Sequence, residues 1–201
     1  MSGNNDHHGA VVTRRWLLTT ALAFVLAGCA SAPPVDTKDE TRSLVFGYFD
    51  MTDAPSGLEW VSLRKYDSAQ KAGEWYGLAV RDGLFFHVGI GPGSYQVEKF
   101  GGMGGILLLT RRPFEYGFGS KGRNATAVRI REPGVYFLGA HQYVNHAGKG
   151  LFAPDKFEMT LVKTPTEKEL LQRLLKELES DKALSGYTRQ LGLARRRLAE
   201  L

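Results

Sequence analysis

Few side chains in this sequence could do chemistry directly, and they are widely spaced. His87, His141 and His146 are candidates for metal ligation or proton transfer, because an imidazole binds metals and titrates near neutral pH. The segment from His141 to His146 lacks the His-Glu-x-x-His spacing that sets two ligands on one helical face. The simpler assignment makes His87 and His141 sheet residues and puts His146 in a loop. Ser94 and Ser120 stand outside any Gly-x-Ser-x-Gly element, and Gly119 to Gly122 has no strand-to-helix context. Asp50, Asp53, Glu59, Glu74 and Glu115 offer carboxylates, with no spacing that singles out an acid-base pair. Gly101 to Gly105 feeds an apolar run, Ile106 to Leu109, rather than a helix with Lys-Ser/Thr, so it reads as a flexible β-β connection and not a phosphate cradle. Cys29 is the only cysteine, which excludes an internal disulfide and a cysteine zinc site. No cofactor or catalytic residue is expected, and the chain is read as non-enzymatic.

The elements that hold these residues follow from composition and periodicity. With 43% hydrophobic and 23% charged residues, the 201-residue chain is neither wholly disordered nor a multi-span membrane protein. Its 24 glycines exceed the roughly 14 expected at a usual frequency of ~7% and favour turn-rich β structure. Short runs rich in Val, Phe, Tyr, Trp and Leu recur from residue 42 to 163, broken by Gly, Pro, Asp or Asn. Strands are expected at 44–50, 58–66, 74–80, 84–89, 94–100, 106–110, 126–131, 135–144 and 156–163. Leu44, Phe46 and Tyr48 share one face, as do Phe157, Met159 and Leu161. Asp82-Gly83 reads as a tight hairpin turn. The fold class expected is all-β, an antiparallel β-sandwich over 42–163 followed by a C-terminal amphipathic helical segment, 164–201.

Upstream, Arg14 and Arg15 precede an uncharged apolar run, Trp16 to Ala27, of a length that suits a secretory signal and is too short to span a bilayer. Leu26-Ala27-Gly28-Cys29 closes it. This arrangement resembles the bacterial lipoprotein precursors, whose lipobox reads Leu, small residue, Gly or Ala, then Cys. The resemblance implies cleavage between Gly28 and Cys29, diacylation of the Cys29 thiol and usually a third chain, of the palmitate type, on the new amino group. Two or three chains hold a protein on a bilayer where one gives marginal anchoring. Ala30, where an Asp would imply inner-membrane retention, implies the outer membrane. Thr13 to Leu18 also resembles a twin-arginine export signal, with Thr19 where Lys often stands; Sec export remains the other route. On this basis 1–28 is a signal peptide and 29–41, small and Pro-containing, a lipidated tether.

Gly91-Pro92-Gly93-Ser94-Tyr95 and Glu132-Pro133-Gly134-Val135-Tyr136 repeat one device, a Pro-Gly turn opening a strand at a Tyr. It resembles the prealbumin-like and carboxypeptidase-regulatory-like sandwich modules. Thr164 to Glu167 reads as a capping box with Pro165 at the first helical position. Leu170, Leu171, Leu174, Leu175 and Leu178 then form one stripe, and Leu184, Tyr187, Leu191, Ala194, Leu198 and Leu201 a second. These stripes either cover an open face of the β domain, pair as a helical hairpin, or dock an envelope partner.

Basic residues cluster at Arg111, Arg112, Lys121, Arg123, Arg129 and Arg131 and at Arg195 to Arg197, within a formal charge of +5. An exported chain has no nucleic acid to meet. Anionic glycans or lipid headgroups are compatible with the charge, as is a plain solvated face. The expectation is an outer-membrane, periplasm-facing lipoprotein acting as a binding or scaffold module. Recruitment would use the C-terminal helices or the Gly-rich loop face. The alternatives are an enzyme or metal-binding protein using His87, His141 and His146, and a glycan or headgroup binder using the basic segments.

Overall fold

The structure is a computed structural model that describes residues 39–66, 74–104, 112–118, 125–146 and 156–201. Gly28 and Cys29, with the rest of 1–38, lie outside the described residues, as does the strand expected at 106–110. Among these described residues nine strands and two helices follow in chain order: β1 Ser43–Asp50, β2 Trp60–Lys65, β3 Trp75–Arg81, β4 Leu84–Ile90, β5 Gly93–Gly104, β6 Arg112–Gly117, β7 Val128–Ile130, β8 Val135–His146, β9 Lys156–Val162, α1 Glu167–Ser180 and α2 Thr188–Glu200.

The β-rich class with two C-terminal helices stands, but the purely antiparallel arrangement does not. Hydrogen bonding runs β6-β5-β2-β3-β4-β1-β8-β9, with β7 also on β5. Every pair is antiparallel except β1 and β8, which run parallel from Leu44 opposite Val135 to Asp50 opposite Gln142. The cause lies at Pro133-Gly134. Ser43 Oγ accepts from the Gly134 amide at 3.2 Å, and the Leu44 amide donates to the Gly134 carbonyl at 2.9 Å. That turn therefore starts β8 at the same end of the sheet as β1, and both strands leave it in one direction. Asp82 and Gly83, at φ 46° and 79°, make the two-residue hairpin between β3 and β4 that the sequence signals.

Alternation along the strands produces two cores. On the concave face the sheet curls over Val45, Phe49, Leu63, Phe85, Val97 and Phe100. The curl brings the ends of the path together, with Tyr116 of β6 5.1 Å from Phe157 and 5.4 Å from Tyr143 between ring centres. Phe157 and Met159 join this core, whereas Leu161, on the same face, is 65% exposed because the curl does not reach it. On the convex face of β1 and β4, Leu44, Phe46, Leu84 and Phe86 meet the leucine stripe of α1 and Leu191 and Ala194 of α2. Burying each such leucine contributes roughly 1.5–3 kcal/mol, which explains why the stripes cover the sheet rather than face water. Arg197 binds Glu167 at 2.9 Å and Arg195 binds Glu179 at 2.8 Å, tying the helices into a hairpin.

Three local expectations need correction. The helix cap is Thr166 with Glu169, two residues later than Thr164 with Glu167; Thr166 also opens a Thr-x-x-Glu box, and Pro165 stays outside the helix. Gly101 to Gly104 continue β5 rather than forming a flexible connection. A Cβ on Gly101 would lie 2.0 Å from the Phe114 carbonyl oxygen, and one on Gly102 2.1 Å from that of Gly57, so the glycines let flanking backbone approach closely. Their partner β6 was not foreseen. The fold also begins before residue 42, since Asp39 accepts from the Thr41 amide and the Arg42 guanidinium, and Glu40 pairs with Arg189 of α2 at 3.3 Å.

Candidate binding face

The three histidines do not form a joint site. His87 on β4 lies opposite Val45, and His141 on β8 lies opposite Phe49, so they flank β1 at opposite edges four residues apart. At ~3.3 Å per residue and ~4.8 Å between strands, their backbones are about 16 Å apart. His146, expected in a loop, is instead the last residue of β8, five residues beyond His141 and on the other face, where it pairs with Glu158 at 3.3 Å. His87 Nδ1 accepts from the Gly89 amide at 2.9 Å, and burial together with the Arg42 charge pushes its pKa down to about 4. His141 is fully buried with neither ring nitrogen hydrogen-bonded in the protein, and burial lowers its pKa too. Among the described residues no three His, Cys, Asp or Glu side chains group as a metal site.

The remaining sequence candidates scatter. Asp50 caps Thr52 through that residue's amide and hydroxyl, Glu74 accepts from the Tyr76 hydroxyl, and Glu115 binds Lys99. Ser94 pairs with Arg129 across β5 and β7. Ser120, Arg111, Lys121, Arg123 and Gly105 lie outside the described residues. Arg195 and Arg197 are spent on the helical ion pairs.

Among the described residues the helices pack on the convex face over β4, β1 and β8, and a different constellation occupies the outer face of β3, β2 and β5. Register puts Trp75, Arg64 and Gln96 in one cross-strand row on this outer face, opposite the row Tyr76, Leu63 and Val97 that faces the core. Trp75 is 48% exposed and Tyr66 39%. Between their rings lies Arg64, its guanidinium carbon 5.0 Å from the Tyr66 ring centre and 5.3 Å from that of Trp75. Glu98 fixes the arginine, both carboxylate oxygens accepting from Nη1 at 3.1 and 3.0 Å. The Tyr66 hydroxyl donates to Glu98 at 3.0 Å and accepts from the Gln96 amide at 2.8 Å. Arg64 is held protonated by this bond, and burial with the adjacent carboxylate raises the Tyr66 pKa. Beside Trp75 on β3 stand Gly77 and Ala79, both exposed, and a Cβ on Gly77 would meet nothing within 4 Å.

An exposed aromatic pair flanking a cation, with the cation and the Tyr66 hydroxyl pinned by a carboxylate and an amide, is held in place, so these groups have little freedom left to lose. Sequence reasoning missed it because its members are joined by register across three strands. The available signal was Arg64 and Tyr66 alternating on β2, with Trp75 opening the next strand. Fold and site thus define a β-rich domain with a helical cover and, among the described residues, an exposed aromatic pair on the outer face of β2 and β3. No family model matches the chain, and no curated protein or solved structure matches it.

Proposed function

We propose that this chain is a non-enzymatic binding module, lipid-anchored through Cys29 to the periplasmic side of the outer membrane. Its body is the β domain, whose curled halves pack over one aromatic core in the manner of a sandwich. The observation that carries the binding reading is Trp75, a large aromatic side chain left half in water yet held against Arg64 by a network reaching Glu98 and Gln96. Trp, Tyr and Arg, the three side chains brought together here, are the types most enriched among residues that dominate binding energy. The lipobox supports the anchor, and the bonded residues Asp39 to Arg42 leave about ten residues after Cys29 as tether. An envelope partner recruited through the C-terminal helices would meet their polar faces and the exposed Leu201, since the rest of the two stripes packs on the sheet.

Fractionation of cells that express the full chain tests the proposal. The wild type should sediment with outer membranes and a Cys29→Ala variant should not; equal distribution of the two would count against it.

A further inference from the structure

We propose that the outer face of β2, β3 and β5 is a saccharide-binding site, with the flat face of an uncharged pyranose stacked on Trp75 and lying along Gly77 and Ala79. This deepens the binding-module reading and rests on it. The axial C–H bonds of a pyranose carry slight positive charge and meet the negative face of an indole, while its hydroxyls need hydrogen-bonding partners beside the ring. Trp75 supplies the ring. The bare surface at Gly77, where a Cβ would touch nothing within 4 Å, supplies a flat floor next to it. Arg64 uses only Nη1 toward Glu98, leaving Nη2 to donate to a hydroxyl, and the Glu98 carboxylate has lone pairs to spare.

Charge selects among glycans. Arg64 is neutralised by Glu98 at 3.0 Å, and Lys99 on the same face pairs with Glu115 at 2.7 Å, so the surface around Arg64 presents paired charge rather than a cationic patch. An anionic glycan or lipid headgroup would gain little here, and an uncharged sugar loses nothing. Shape selects against the other common ligand of exposed Trp and Tyr. A proline-rich peptide inserts its rings into grooves between aromatic ridges. Here Arg64 fills the space between Tyr66 and Trp75, at 5.0 and 5.3 Å from the two ring centres.

The test is titration of the detergent-solubilised full chain with maltohexaose, cellohexaose and chitohexaose, read by tryptophan fluorescence and calorimetry. At least one should bind with an affinity unchanged by added salt. Trp75→Ala should weaken that binding by about tenfold or more, and Gly77→Leu, which leaves Trp75 in place, should weaken it too. Both positions are exposed, so both variants should stay folded and melt cooperatively, with midpoints within a few degrees of wild type. Binding of none of the three sugars, or binding indifferent to both substitutions, overturns the proposal. Binding of a proline decamer that Trp75→Ala abolishes, with no sugar bound, would overturn the saccharide assignment while leaving the binding-module reading intact. Failure of sugars and peptide alike would remove the support for both.

Discussion

The Tyr95 hydroxyl donates to the carbonyl of Gly91 at 2.9 Å, folding the ring back over the Pro92-Gly93 turn that precedes its strand. Tyr136 repeats the arrangement on Glu132 at 2.7 Å, over Pro133-Gly134. The two five-residue segments noticed as a sequence repeat are therefore one structural device, a tyrosine locking the turn four residues upstream. They differ in environment, since Tyr95 is buried and Tyr136 bonds at the surface. Tyr95→Phe leaves a buried carbonyl unpaired and should lower stability by about 1–2 kcal/mol, whereas water replaces the bond in Tyr136→Phe, at a cost of roughly 0.5 kcal/mol. Urea unfolding of the two variants measures the difference.

The glycines of β3 and β5 should separate sharply. Gly101→Ala forces a methyl into the Phe114 carbonyl and should be destabilising by several kcal/mol, on the order of 3 or more. Gly77→Ala meets open space and should be neutral or stabilising by up to about 1 kcal/mol, through reduced freedom of the unfolded chain. Thermal melts of both variants check the contrast.

Acid should weaken the fold through His87. Its ring titrates near 6.5 in the unfolded chain but is held down to about 4 when folded, by burial first and then by the Arg42 charge. Between those values the unfolded state binds the extra proton. The stability His87 confers is therefore full above pH 6.5 and falls as pH drops toward 4, by up to about 3 kcal/mol. His141 shifts in the same direction by burial and adds to the loss. In His87→Gln the dependence of the melting temperature on pH between 6.5 and 4 should flatten; an unchanged slope would assign the acid sensitivity elsewhere.

Gln190 is fully buried on α2, and neither atom of its amide finds a hydrogen-bond partner in the protein. Replacing it with Met, of similar shape and no polar group, should raise stability by about 1 kcal/mol. A chemical denaturation midpoint lower than wild type would show that the amide is satisfied in solution.

Local chemistry was readable in the sequence. Asp82-Gly83 announced its hairpin, and the spacing of Leu170 to Leu178 announced a helix with one buried stripe, because both depend on neighbours in the chain. The parallel pairing of β1 with β8 was not readable, since it depends on Ser43 meeting Gly134, 91 residues away. Gly101 to Gly104 looked like a loop because the backbone that demands their missing side chains comes from Gly57 and Phe114. The aromatic face stayed hidden for a related reason: Arg64 meets Glu98 only once the β2-β5 register is set.

The mass of the N-terminal peptide from membrane-extracted protein tests the proposed lipid anchor most directly. Anchoring requires a peptide that begins at Cys29 and carries the mass of a diacylglyceryl group, with or without a further acyl chain on the amino group. An unmodified Cys29 within a chain that still bears residues 1–28 would contradict it.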